Sequence, residues 1–191
     1  SVLYVDSADK AARFVMVCNQ DWLPIIFLQD VNGFMVGRES EQAGIIKAGA
    51  KLVNALSNAR VPKITIITGG SYGAGNYALC GKAFDPRFIY AWPTARIAVM
   101  GGEQATETLL DVTIKSLQRQ GETVDADELN SLREKIRDDY DRQKDVRYAA
   151  ARGWVDAIID PAQTRNVLTF SLECATRHAN DEPYRVGVYQ V

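Results

Sequence analysis

The chain has 191 residues, 47% of them hydrophobic, which is enough for one domain with a real core. A formal net charge of −2 and a pI near 5.5 leave no basic footprint of the kind nucleic-acid binding needs. No apolar run is long enough to span a bilayer and no secretory leader is recognisable, so neither a membrane nor a nucleic acid is expected as a partner.

Residues 1–5 read as the end of a strand, and with no initiating Met the chain is expected to be excised from something longer. Residues 9–20 have the spacing of a helix, with Ala11, Phe14, Val15 and Cys18 on one face and Ser7 as its cap. Residues 24–29 (P-I-I-F-L-Q) read as a buried strand, followed by a glycine-punctuated loop at 30–37. A second helix is expected at 39–57, with acids in its first turn and Ile46, Ala50 and Val53 on its stripe. After Pro62, the β-branched run Ile64-Thr65-Ile66-Ile67 predicts a buried strand at 63–67. Short strands are expected at 88–92 and 96–100, around Pro93-Thr94, and a helix at 103–118. Residues 125–145 are the most charged part, and their single apolar stripe of Leu129, Leu132, Ile136 and Tyr140 predicts a solvated amphipathic helix. A strand at 154–159 precedes Asp160-Pro161, a cap residue before a proline at the first helical position, and the helix after it is expected to run to about His178. Strand, loop and helix in repetition predict an α/β domain with parallel strands and a ligand site at their C-terminal ends.

The chemistry concentrates in Gly69-Gly70-Ser71-Tyr72-Gly73-Ala74-Gly75, between the 63–67 strand and an apolar run that opens a helix. Glycines at such a turn let a ligand approach the backbone, and the first amides of a helix have no intrahelical acceptor. They can hold a phosphate or a developing oxyanion. The phosphate-loop pattern fails, because Gly75 to Gly81 encloses five residues and Ala83 follows Lys82 where Ser or Thr should stand. No dinucleotide-binding G-x-G-x-x-G stands correctly after a strand. Gly69-Gly70-Ser71-Tyr72-Gly73 does satisfy G-x-S-x-G, which would make Ser71 a hydrolase nucleophile served by His178, the only histidine, with Asp156 or Asp160 behind it. The other possibility is an oxyanion hole at Ala74 and Gly75, with the proton acceptor supplied by substrate or cofactor, or glycines that serve packing alone. One histidine, scattered carboxylates and the three cysteines Cys18, Cys80 and Cys174 make no metal-ligand pattern. The cysteines read as buried free thiols of a reducing compartment.

These residues are specific enough to mark a family. S-A-D-K-A-A-R-F from Ser7, F-L-Q-D-V-N-G-F-M-V-G at 27–37, G-G-S-Y-G-A-G-N-Y-A-L-C-G-K-A at 69–83, M-G-G-E-Q-A at 100–105 and R-G-W-V-D-A-I-I-D-P-A-Q-T-R at 152–165 resemble the carboxyltransferase β subunits of biotin-dependent acyl-CoA carboxylases. G-A-G-N-Y and M-G-G-E-Q-A look most like the 3-methylcrotonyl-CoA or geranyl-CoA branch. The resemblance implies a crotonase-like superhelix of β-β-α units with an added charged helical segment at about 104–145. It implies that residues 1–191 form a single C-terminal, biotin-side domain whose N-terminal, acyl-CoA-binding counterpart is not in the chain, so that the isolated domain is inactive. It further implies that carboxybiotin, on a partner carrier, releases CO2 and leaves an anion stabilised by the Ala74 and Gly75 amides. That anion takes a proton from the acyl-CoA, and the enolate attacks CO2, with the cofactor doing the hard chemistry. Gly33, Phe34, Val36 and Gly37 match the loop that lines the biotin pocket, and Tyr72, Gly73 and Asn76 flank the amides. No metal is expected in this domain. The implied partners are the biotin carboxylase and biotin carboxyl carrier subunit, the N-terminal domain of a neighbouring subunit, and further copies in a homo-oligomer, a hexamer at full length. The implied location is a bacterial cytoplasm or a mitochondrial matrix. A biotin-dependent decarboxylase uses similar chemistry and stands as an alternative.

Overall fold

The expected alternation of strands and helices builds one five-stranded sheet in which every pairing between strands is parallel. The structure is a computed structural model that describes residues 1–120 and 126–177. Strand β1 (Ile25–Val31) lies beside β2 (Lys63–Tyr72), and β2 beside β3 (Phe88–Ala91), which in turn pairs with β5 (Ala157–Ile158). β4 (Arg96–Ala98) pairs with the second half of β2, Gly70 to Tyr72, while β3 pairs with the first half, Ile64 to Ile67. β3 and β4 thus run one behind the other along the same edge of β2. The turn between them is held by Ala95 N donating to Trp92 O (2.9 Å) and Thr94 Oγ1 donating to Thr68 O (3.1 Å).

β2 extends through Tyr72, past the predicted end at 67, so Gly69, Gly70 and Ser71 belong to a strand. The extension is held on one side by β4 and on the other by Asp30, whose Oδ1 accepts from Gly70 N (2.9 Å). β1 alternates strictly between buried and exposed residues. Ile25, Phe27, Gln29 and Val31 face the helices, and the strand is therefore half-buried and not buried on both faces.

Helix α1 (Val5–Gln20) starts four residues before its predicted start; Ser7 is not its cap but lies inside it. Ser7 Oγ accepts from Tyr4 N (2.7 Å) and donates to Tyr4 O (2.9 Å), closing the first turn. The buried stripe is Ala8, Ala12, Val15 and Cys18, while Phe14 is 60% exposed. The predicted 39–57 helix is two helices, α2 (Arg38–Gln42) and α3 (Ile45–Asn58), parted at Gly44 with φ +97°. α3 buries Ile45, Ala48, Gly49, Leu52, Ala55 and Leu56, and Ile46 is 71% exposed, so the stripe through Ile46 is turned to solvent. α1 and α3 pack on each other with small residues between them, and small side chains let helix axes approach closely. That is why the bulkier Phe14 and Ile46 point away. The first residues lie beside the 32–35 loop: Leu3 N donates to Gly33 O (3.0 Å) and Met35 N to Leu3 O (2.8 Å).

The second half of the chain matches its predicted order. Short α4 (Gly73–Ala78) follows β2. α5 (Gly102–Arg119) and α6 (Ala126–Lys144) pack as a hairpin, and the α6 stripe Leu129, Leu132, Ile136 and Tyr140 is half-buried as the pattern predicts. A short α7 (Val146–Ala150), absent from the expectation, is capped by Asp145. β5 is shorter than the predicted 154–159. Asp160 Oδ1 accepts from Ala162 N (2.9 Å), the expected cap, and leads through Pro161 into α8 (Thr164–Ala175). α8 lays Val167, Leu168 and Leu172 over Ile64, Ile66 and Tyr90. His178 lies outside the described residues. Among those described, no helix is long and apolar enough to cross a membrane.

Candidate active site

The sharp turn from β2 into α4 is made at Gly73, whose φ of +51° is costly for any residue with a side chain, and a Cβ there would lie 2.9 Å from Val99 O. Gly75 is needed for a different reason. A Cβ on it would come within 2.7 and 2.9 Å of the two methyl carbons of the fully buried Val31 and 3.1 Å from Gly33 Cα. The turn therefore sits flush against the end of β1 and the start of the 33–37 loop. Its amides are those of the first helical turn, which have no intrahelical acceptor. Ala74 is exposed while Gly75 is buried.

Ala74 opens on a cavity of about 720 Å³, a size usual for small-molecule sites. Gly73 and Asn76 stand beside Ala74 in its wall, Ile67, Ile89 and Ile97 give it an apolar floor, and α6 closes the far side with Tyr140 and Lys144. Tyr140 is fastened to the β4–α5 turn, its Oη donating to Met100 O (2.7 Å) and accepting from Met100 N (3.2 Å). Lys144 Nζ pairs with Asp141 Oδ1 at 2.5 Å. The charged side chains that line the cavity among the described residues, Lys82 and Lys144, are both cations; no carboxylate and no imidazole of those residues lines it. The arrangement can stabilise a developing negative charge with fixed amides and cations, and it offers no side-chain base of ordinary type. Among the described residues no three His, Cys, Asp or Glu side chains gather as a metal site requires.

The other residues singled out from sequence lie elsewhere. Gly33 touches the back of the turn at Gly75. Phe34 packs on the core against Gly49, Val36 is 80% exposed, and Gly37 precedes α2 with φ +111°. None of these four lines the cavity, nor does the buried Gly75, nor Tyr72, whose ring lies over Gly70. The turn and the loop are close neighbours, since a Cβ at Gly75 would lie 3.1 Å from Gly33 Cα. Sequence reasoning misses Tyr140, Lys144 and Gln29 as site residues. Of these, Gln29 alone carries a signal, an amide inside an otherwise apolar strand. Tyr140 reads as one member of a helix stripe.

The nucleophile assignment for Ser71 does not survive. Ser71 is fully buried in β2, its Oγ donates to Gln29 Oε1 (2.7 Å), and it accepts from Asn76 Nδ2 (2.7 Å). Asp156 and Asp160 are engaged as well, by Ile89 N (2.8 Å) and Ala162 N (2.9 Å). A serine elbow presents its hydroxyl on a strand-to-helix turn; here the turn falls two residues later, at Gly73. Cys18 and Cys80 are buried core thiols as expected, whereas Cys174 is only half-buried; Cys80 is pushed up to about 11, chiefly by burial, with Lys63 pulling the other way, and burial also raises Cys18.

Residues 2–187 match the carboxyl transferase domain family. The whole chain is 47% identical to 36% of the biotin-dependent 3-methylcrotonyl-coenzyme A carboxylase beta1 subunit of Mycobacterium tuberculosis. It is 45% identical over 190 residues to a probable mitochondrial methylcrotonoyl-CoA carboxylase beta chain of Drosophila melanogaster, of which it covers 33%. Among solved structures, it superposes over its full length on 36% of the beta subunit of P. aeruginosa geranyl-CoA carboxylase, with TM-score 0.82 and 42% identity. It superposes likewise on 35% of the transcarboxylase 12S chain, described as a hexamer assembly with methylmalonyl-coenzyme A bound, with TM-score 0.86 and 36% identity. The chain spans about a third of the length of these relatives, and the fold it shares with them is the crotonase-like one.

Proposed function

The chain belongs to the carboxyl transferase domain family, and from that premise we propose that it carries the carboxyl-transfer half of a biotin-dependent acyl-CoA carboxylase, with 3-methylcrotonyl-CoA as the acyl acceptor. One observation carries the mechanism: Ala74, in the first turn of α4, is exposed and stands in the wall of a cavity bordered, among the described residues, by cations and by no carboxylate or imidazole. Bound carboxybiotin supplies the carboxyl group and, once that is released, the base. The chain's own part is to hold that site. Gly73 lets the backbone turn tightly enough to aim the amides, Gly75 seats the turn against Val31, and the Ala74 and Gly75 N–H groups donate to the oxygen on which charge develops. Ile67, Ile89 and Ile97 keep water from the apolar floor, which strengthens those hydrogen bonds. Asn76 shares the cavity wall with Ala74, and Gly33, Phe34, Val36, Gly37 and Tyr72, outside that wall, border the cofactor's approach in this reading, supported by how closely Gly33 Cα lies to the turn at Gly75.

The acyl-CoA is expected to be bound jointly with an N-terminal domain of a neighbouring subunit, with the carrier subunit delivering biotin and the whole enzyme a hexamer. The compartment is a bacterial cytoplasm or a mitochondrial matrix. Support for the methylcrotonyl branch comes from identity, which is higher to those chains than the 39% shared with a putative propionyl-CoA carboxylase beta chain.

The test is avidin-sensitive, ATP- and bicarbonate-dependent carboxylation of 3-methylcrotonyl-CoA, geranyl-CoA and propionyl-CoA by the complete two-subunit enzyme. Ala74→Pro removes one amide hydrogen at an exposed first-turn position, where no intrahelical hydrogen bond is lost. It should lower kcat by about 10²- to 10³-fold, the usual cost of one oxyanion donor. A folded, biotin-loaded Ala74→Pro enzyme with full kcat would refute the assignment of that amide.

A further inference from the structure

Three buried or half-buried polar side chains are joined in one chain behind the glycine turn. Ser71 Oγ in β2 donates to Gln29 Oε1 in β1 (2.7 Å) and accepts from Asn76 Nδ2 in α4 (2.7 Å). Gln29 Nε2 donates onward to Leu79 O (2.6 Å) and Asn76 O (3.3 Å), and Asn76 O also accepts from Gly81 N (2.7 Å). Gln29 and Ser71 have no exposed surface. Placing an amide and a hydroxyl there is costly unless every group is satisfied, and an apolar pair would fill the same space without that demand. The chain of hydrogen bonds has a definite end point. It grips α4 at its first turn, through the Asn76 side chain, and just past its last, through the carbonyl of Leu79. A helix of six residues cannot hold its own shape in water, so its orientation is set by what grips it.

We propose that Gln29, Ser71 and Asn76 are positioning residues for the carboxyl transfer, locking α4 between the two strands so that the Ala74 and Gly75 amides stay aimed at the developing oxyanion. This rests on the carboxyl-transfer reading given above. Ser71 and Asn76 border the cavity of the site, but the polar groups of Ser71 and Gln29 are engaged with one another and that of Asn76 with Ser71. Their effect passes through the backbone, and a displacement of about 1 Å at reacting groups can cost on the order of 10²-fold in rate.

The experiment uses the complete enzyme carrying Ser71→Ala, Gln29→Met, both together, or Ser71→Thr, with kcat, KM for 3-methylcrotonyl-CoA and melting temperature measured for each. Ser71→Ala and Gln29→Met should each lower kcat by about 10- to 100-fold and leave KM within about 3-fold. The double variant should fall no further than the worse single, as for residues that act as one unit. Ser71→Thr keeps the hydroxyl and should retain kcat within about 3-fold of the parent whatever its melting temperature, since the aim of the turn and the packing of the sheet are separate properties. Should Ser71→Ala alone fail to fold, the double variant, which leaves no carbonyl facing a lost hydroxyl, gives the same reading. Rates that follow melting temperature and ignore the hydroxyl, a loss confined to KM, or an unchanged kcat in Ser71→Ala would each overturn the positioning role. A folded, biotin-loaded parent that turns over no acyl-CoA would overturn the carboxyl-transfer reading, and this role with it.

Discussion

Gly75→Ala isolates how tightly the turn is seated. The new Cβ would lie 2.7 Å from Val31 Cγ2 and 2.9 Å from Cγ1, against an ordinary carbon–carbon contact of about 3.5–4.0 Å. Val31 is fully buried and stiff at χ1, so it cannot swing away, and Gly33 Cα at 3.1 Å blocks retreat on the other side. Overpacking of this kind costs about 1–3 kcal/mol. Val31→Ala removes both opposing methyl groups and costs about 2 kcal/mol in lost burial and residual cavity. The Cβ added at position 75 occupies part of that cavity, so the double variant should be about 1–2 kcal/mol more stable than additivity allows. Urea unfolding of the four proteins measures the coupling directly. Costs that add within about 0.5 kcal/mol would refute the contact. The same set separates packing from chemistry, because alanine keeps the amide hydrogen that valine at this position would displace along with the whole turn. Gly75→Ala should slow the complete enzyme, and the added Val31→Ala should recover most of the loss.

Asp145 caps α7, accepting from Arg147 N (2.9 Å), and both its oxygens accept from the Arg147 guanidinium (2.9 Å each). The Arg147 side chain first, then its amide, holds the carboxyl well below the usual carboxylate range. The folded value is depressed, so the stabilisation is complete above about pH 4 and is lost as pH falls below the ordinary carboxylate value toward the folded one. Asp145→Ala should therefore cost about 0.5–2 kcal/mol at pH 7, with the two unfolding curves converging in acid; a difference that persists unchanged at about pH 2 would refute it. Ellman titration of the native chain should find one reactive thiol, the half-buried Cys174, with Cys18 and Cys80 reacting only on unfolding; three fast thiols would contradict the burial. Tyr140→Phe removes both hydrogen bonds to Met100, worth about 0.5–1.5 kcal/mol apiece. Amide exchange should rise through α5 and α6 while β1 and β2 stay protected, and unchanged exchange in the hairpin would show that packing alone holds it.

The signals legible in the sequence are those contained in a few consecutive residues. The Ile64–Ile67 run specifies a strand, Asp160-Pro161 a cap, and Leu129, Leu132, Ile136 and Tyr140 one face of a helix, because each depends on local backbone preference or on a single helical period. The glycines around the start of α4 also mark the turn, since Gly73 combines φ +51° with Val99 O only 2.9 Å from where a Cβ would lie. Which face each helix buries was decided by its neighbour: α1 and α3 meet through small residues such as Ala8, Ala12 and Ala48, while the larger Phe14 and Ile46 face solvent. The extension of β2 through Ser71 depends on β4 and Asp30, and it removed that hydroxyl from the surface. The hydrogen bond of Ser71 to Gln29 spans 42 residues, and that of Tyr140 to Met100 spans 40. Contacts over such separations leave no periodicity to read, because a loop of any composition can bring their ends together once the sheet has set its register.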